Sequence, residues 1–237
     1  MKTNQIIQLE KEAEEGNGIS QFHLGYAYAN GEGGLEKNLG LAIYWYQRSA
    51  EQGHAEAKNN LGWCLQEDSP FKNMNQAIYW IEQSAKQGYK IAQYNLGVFY
   101  NEGKGVPVDF EKAKELYEKS AEQNYAPAQN NLAWLYRKGL GTPIDEQKAF
   151  YWYFRGAHGG DLSAQMQLGF CYENGIGIEE NEKEAFKWYK AATEHKSATA
   201  YYNLGVCYRD GIGVTQDNLE AQKWFDKAKA NGFSGEF

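Results

Sequence analysis

The stretch Leu168–Ala192, LGFCYENGIGIEENEKEAFKWYKAA, is the unit from which the rest of the chain is copied. It opens on Leu168-Gly169, places Tyr172 four residues on, and turns through Gly175-Ile176-Gly177. It then closes on Ala185, Trp188 and Tyr189. The same order returns from Leu24, Leu61, Leu96, Leu132 and Leu204, at intervals of 35 to 37 residues. A fixed period of this length marks units that stack to bury an apolar face.

Each unit reads as two helices. With the leucine as position zero, position −4 is small (Ser20, Ala57, Ala92, Ala128, Ala164, Ala200) and position +4 is Tyr28, Leu65, Tyr100, Tyr136, Tyr172 or Tyr208. Steps of four place these on one helical face. Position +1 is Gly25, Gly62, Gly97, Ala133, Gly169 or Gly205. Glycine inside a helix costs about 1 kcal/mol against alanine, so a neighbouring backbone is expected to pass there. The second helix carries Ala42, Ala77, Ala113, Ala149, Ala185 or Ala221, with Trp-aromatic pairs such as Trp45-Tyr46 three and four residues later. Asp109, Asp145, Asn181 and Asp217 read as its N-caps. Gly53, Gly88, Asn124, Gly160 and Gly232 are placed to end it in a left-handed conformation.

This pattern resembles the Sel-one-like repeat (SLR) family, relatives of the tetratricopeptide repeats. Leu204, Gly205, Tyr208, Gly211, Gly213, Val214, Asp217, Ala221 and Trp224 carry it in the sixth copy. The resemblance implies an all-α fold, an α/α superhelix (solenoid) of about six helix-turn-helix repeats, presenting a surface to a partner that is usually a protein. Some secreted members of that family are cysteine-rich, with a disulfide in each repeat, and have been credited with β-lactam binding or hydrolysis. That cysteine pairing is missing here, so the activity does not carry over.

In chain order, residues 1–17 match the second half of a unit, through Ile6, Leu9, Ala13 and Gly16, and read as an N-terminal cap. A single array of six repeats then covers 18–53, 54–88, 89–124, 125–160, 161–196 and 197–232. Residues 233–237 form a tail expected to fray. In the second unit the connection from Asp68 to Asn73 lacks the Gly-x-Gly and is read as loop drift.

Composition narrows the function classes. The 237 residues carry a net charge of −7. No basic stripe offers itself to a phosphate backbone, no apolar run is long enough to span a membrane, and glutamates interrupt the N-terminal stretch where a signal peptide would be apolar. The Gly-x-Gly pairs follow helices, whereas a phosphate cradle needs a strand before it, so they read as turns. Cys64, Cys171 and Cys207 share position +3 with Ala27, Phe99 and Leu135, and so read as small packing residues in a reducing, cytoplasmic setting. The four histidines lack ligand spacing, so no metal or cofactor is expected.

What remains is another face of the first helix. Position −2 holds Phe22, Asn59, Tyr94, Asn130, Met166 and Tyr202. Position −1 holds His23, Asn60, Asn95, Asn131, Gln167 and Asn203. Position +2 holds Tyr26, Trp63, Val98, Trp134, Phe170 and Val206. By the resemblance, these phases face the concave side of the superhelix. An amide both donates and accepts, so successive asparagines suit an extended peptide backbone, with aromatics as anchors. Equally, the amides fit a ladder that bonds repeat to repeat. The expectation is a monomeric, non-catalytic scaffold that binds a peptide or protein partner. Alternatives are an immunity- or inhibitor-type protein neutralising one toxin or enzyme, and a hydrolase of cell-wall or β-lactam substrates. Trp188 is expected in the core.

Overall fold

The computed structural model describes residues 2–66 and 71–235. These form thirteen α-helices joined by turns, with one 3-10 segment and no strand among the described residues. Contacts divide the chain into two compact units, residues 1–120 and 121–237. The first holds α1 (Asn4–Glu14), α2 (Gly18–Asn30), α3 (Leu39–Glu51), α4 (Ala55–Cys64), α5 (Met74–Lys86) and α6 (Lys90–Glu102). Helix α7 (Phe110–Glu122) runs across the division. The second holds α8 (Ala126–Lys138), α9 (Glu146–His158), α10 (Leu162–Asn174), α11 (Glu182–Ala192), α12 (Ala198–Asp210) and α13 (Asn218–Ala230).

The repeat leucines and the small residues four before them are buried. Position +3 is buried as well, the three cysteines included. Burial pushes the thiols of Cys64 and Cys171 up to about 11 and that of Cys207 to about 12, and all three are free. They are packing groups, unreactive at neutral pH.

Position +1 differs from expectation. No passing backbone explains most of these glycines. A Cβ on Gly97 would sit 2.7 Å from the ring of Tyr117, and one on Gly205 would sit 2.5 Å from that of Phe225. Gly25 and Gly169 face Tyr46 and Tyr189 in the same way. Each of these four glycines receives the aromatic ring of its own repeat's second helix. At Gly62 the Ile81 side chain stands in that place, 2.5 Å from a Cβ, with the Ala77 carbonyl at 2.8 Å; at Gly97 the Ala113 carbonyl is 3.4 Å away. The buried member of each Trp-aromatic pair is therefore the second: Tyr46, Tyr117 and Tyr153 are at most 2% exposed. Trp188 is only half-buried, against the ring of His158, which corrects its expected place in the core.

The turn has its own closure. The N–H of the N-cap residue donates to the carbonyl of position +4 in every unit: Asn38 to Tyr28, Asn73 to Leu65, Asp109 to Tyr100, Asp145 to Tyr136, Asn181 to Tyr172 and Asp217 to Tyr208, at 2.7–3.0 Å. Asp109, Asp145, Asn181 and Asp217 also cap as expected, their side chains accepting from backbone N–H groups of the first helical turn. The second unit makes the same closure without Gly-x-Gly; its residues 68–70 lie outside the described residues. The second glycine of the pair docks on the preceding repeat, where a Cβ on Gly177 would meet the Glu146 carbonyl oxygen at 2.1 Å. Its φ of +70° is one that glycine adopts without strain. The tail does not fray at Phe233, whose ring stacks on Tyr202 at 4.3 Å; residues 236–237 lie outside the described residues.

Two recurring polar contacts hold repeat to repeat and helix to helix within a repeat. Gln21, Gln93, Gln129 and Gln165, at position −3, donate to the carbonyls of Ala13, Ala85, Ala121 and Ala157 in the preceding helix. Within a unit, Ser49, Ser84 and Ser120 donate to the carbonyls of Gly18, Ala55 and Lys90 at the start of the first helix. A buried bond of this kind is worth about 1 kcal/mol and costs more to leave half-made.

Candidate interaction surface

In the first unit, positions −2 and −1 are largely engaged with each other. Asn95 donates to Asn59 at 2.9 Å, Asn59 donates to Asn60 at 3.2 Å, and Asn60 meets the Tyr46 hydroxyl. Asn59 is buried. Phe22 and Tyr94 lean on the core rings of Tyr46 and Tyr117, both at 5.9 Å. What stays outward is His23 with the position +2 aromatics Tyr26 and Trp63, 46% and 54% exposed. His23 and Tyr26 edge a cavity of about 350 Å³ beside Thr3 and Glu32.

The second unit begins alike, at Asn130 and Trp134, and departs from the first in α10 and α12. Asn130 donates to Asn131 at 3.2 Å, and Trp134 is exposed. Met166, Gln167, Phe170, Tyr202 and Asn203 line one cavity of about 500 Å³. With Val206, six residues of the face named from the sequence thus meet at one site, contributed by α10 and α12.

It missed the charged rim. Arg137, Glu173 and Arg209 also line this cavity. All three occupy position +5, one turn beyond +2, where the first unit carries Ala29, Gln66 and Asn101. The Arg137 guanidinium lies 4.7 Å over the Phe170 ring and donates to the Gln167 side-chain oxygen at 2.8 Å. Glu173 accepts from the Tyr189 hydroxyl at 2.6 Å, and with burial this pushes the tyrosine's pKa up. Arg209 is held by both oxygens of Asp210, at 2.8 and 2.9 Å, which lowers the carboxyl's pKa. The signal that would have found position +5 is its change from neutral to charged between the two halves of the sequence.

No group of three or more His, Cys, Asp or Glu among the described residues is arranged to hold a metal ion. No described helix is long and apolar enough to cross a membrane.

Helical hairpins of one pattern, closed by one bond and stacked by one glutamine, define a helical repeat protein. The Sel1 repeat model matches residues 18–54, 55–89, 90–125, 126–161, 162–197 and 198–233, and the chain belongs to that family. Among solved structures, it is similar to a protective antigen present in uropathogenic Escherichia coli strains that displays the SLR fold. That likeness has 34% identity, a TM-score of 0.87 and 97% of this chain covered. This chain spans about half, 49%, of that antigen's length. A Sel1 repeat protein from Oxalobacter formigenes is 32% identical with a TM-score of 0.84, covering 91% of this chain and 88% of the other. An immunity protein from Pseudomonas aeruginosa shares the fold at 17% identity and a TM-score of 0.57, over 90% and 81% of the two chains. No curated protein matches the sequence.

Proposed function

We propose that the chain is a non-catalytic interaction module that binds a protein or peptide partner on the face built from positions −2, −1 and +2 of the first helices. The observation that carries this reading is the cavity in the second unit, where six residues at those positions converge with polar and aromatic groups. Exposed Tyr26, Trp63 and Trp134 at the same phases add the residue types that dominate interface energies. In this reading the protein works as a monomer in a reducing, cytoplasmic setting, without nucleic acid, membrane or cofactor.

The test is affinity capture from native lysate with the wild type and with Tyr26→Ala, Trp63→Ala and Trp134→Ala combined. Each of these side chains is only about half covered, so the variant is expected to melt lower but as a folded protein, which a thermal melt checks before capture. Loss of a stoichiometric partner supports the reading. Retention of every partner by the variant moves the interface elsewhere. A single partner held with nanomolar affinity would distinguish an inhibitor of the immunity type from a general scaffold.

A further inference from the structure

We infer that the cavity between α8, α10 and α12 receives a single carboxylate of a peptide partner on Arg137, with an adjoining apolar side chain against Phe170; this rests on the protein-binding reading above. The cavity holds about 500 Å³, within the range of built ligand sites. Three successive first helices supply its groups, so its geometry is fixed by the repeat stack and needs no loop to order.

Arg137 is the receptor group. Its guanidinium is half-buried and already oriented, stacked on Phe170 and tied to Gln167. A guanidinium carries five donors in a fixed fork that matches a carboxylate. One goes to Gln167, and the Tyr153 hydroxyl faces it from the core side. Among the described residues, no carboxylate forms an ion pair with Arg137. Arg209, on the other side of the cavity, is different: Asp210 already occupies its fork. The cavity thus holds one oriented cation with unused donors.

Glu173 sets the number of anions. Its carboxylate lines the same cavity and is anchored by Tyr189. It repels a second negative charge, so the site selects one carboxylate over an acidic run. The amide of Asn203 supplies a donor and an acceptor for the ligand's peptide group. Phe170 and Met166 form the apolar wall. Tyr202 contributes one ring face, the other being covered by Phe233.

The carboxylate has two sources, a chain terminus or an Asp or Glu side chain, and the experiment separates them. Fluorescence anisotropy on the full chain is measured with matched sets of dye-labelled hexapeptides rich in apolar residues. One set has a free C-terminus and no acidic side chain, one is its amidated counterpart, and one is amidated with a single internal Glu. Binding by the free-terminus or the single-Glu set, with at least about tenfold loss in the amidated acid-free set, is the expected result. The first pattern identifies a terminus and the second a side chain. Arg137→Gln removes that preference, and Arg137→Lys, which keeps charge without the fork, retains only part of it. Arg155→Gln, half-buried on α9 and outside the cavity lining, leaves it unchanged. Thermal melts confirm that each variant is folded. Equal binding by all three sets, or a carboxylate preference that survives Arg137→Gln, overturns the inference while leaving peptide binding intact. A fourth, amidated set with three consecutive Glu residues binds no tighter than the single-Glu set, and tighter binding of it overturns the inference. No binding by any set overturns it too, and the lysate capture above then decides the broader reading separately.

Discussion

The two units place different side chains on the same repeat positions. In the first, Asn95 at position −1 donates to Asn59 at position −2 of the preceding repeat, and that amide oxygen is satisfied. In the second, the corresponding pair is Gln167 and Asn130. Gln167 instead accepts from Arg137, and Asn130 Oδ1 is left buried with no partner among the described residues. One charged residue at position +5 redirects an amide that elsewhere stitches repeats together, and a cavity lies where it turns. The backbone pattern is common to both units; the difference lies in side-chain length and charge at three phases. A repeat scaffold can thus carry a tight surface and a receptive one without a change in fold.

The comparison is first broken or kept by the core. If the units differ only on that surface, emptying the buried ring should cost the same in each. Tyr46→Ala in the first and Tyr153→Ala in the second should each lose about 3–5 kcal/mol in denaturant unfolding of the full chain. A loss confined to one unit would mean that the cores differ too. Trp188→Ala, at a half-buried site, should lose clearly less, about 1–2 kcal/mol in proportion to the apolar area it covers.

Most of the fold was legible because packing constrains it repeatedly. Leu24 and its five counterparts, the small residues at −4 and the caps at Asp109 or Asp217 recur in phase, and each is buried or bonded as its phase requires. Gly97 was legible as a close approach but not as to what approaches. A glycine in sequence reports missing volume, and whether backbone or the Tyr117 ring fills it depends on the tilt between two helices. The Gln21, Gln93, Gln129 and Gln165 series was visible as a repeated residue and passed over, because a polar type at a single phase reads as solvated until its acceptor carbonyl is located. The surface was legible only in part. Met166, Phe170 and Tyr202 could be assigned to one face by period, but Arg137 and Glu173 break the period. Residues that differ between copies carry no repeat signal, and binding groups are of that kind.

The amide exchange supplies a finer test. Asn95→Ala strips the partner from the buried Asn59 oxygen, and should destabilise by about 1–3 kcal/mol with no effect on peptide binding. The reverse change is Gln167→Asn, which places in the second unit the residue that the first unit uses. A shorter amide no longer reaches for Arg137 and is positioned, as Asn95 is, to donate to the orphaned Asn130 oxygen. Stability should rise, by up to about 1 kcal/mol in denaturant unfolding, since a buried acceptor gains its donor. Peptide affinity should fall at the same time, because Arg137 loses the contact that orients it. Both changes together would show that the second unit gives up repeat-to-repeat bonding for a receptive guanidinium. If stability rises and binding holds, Phe170 alone orients Arg137 and the two units differ by packing rather than by exchange.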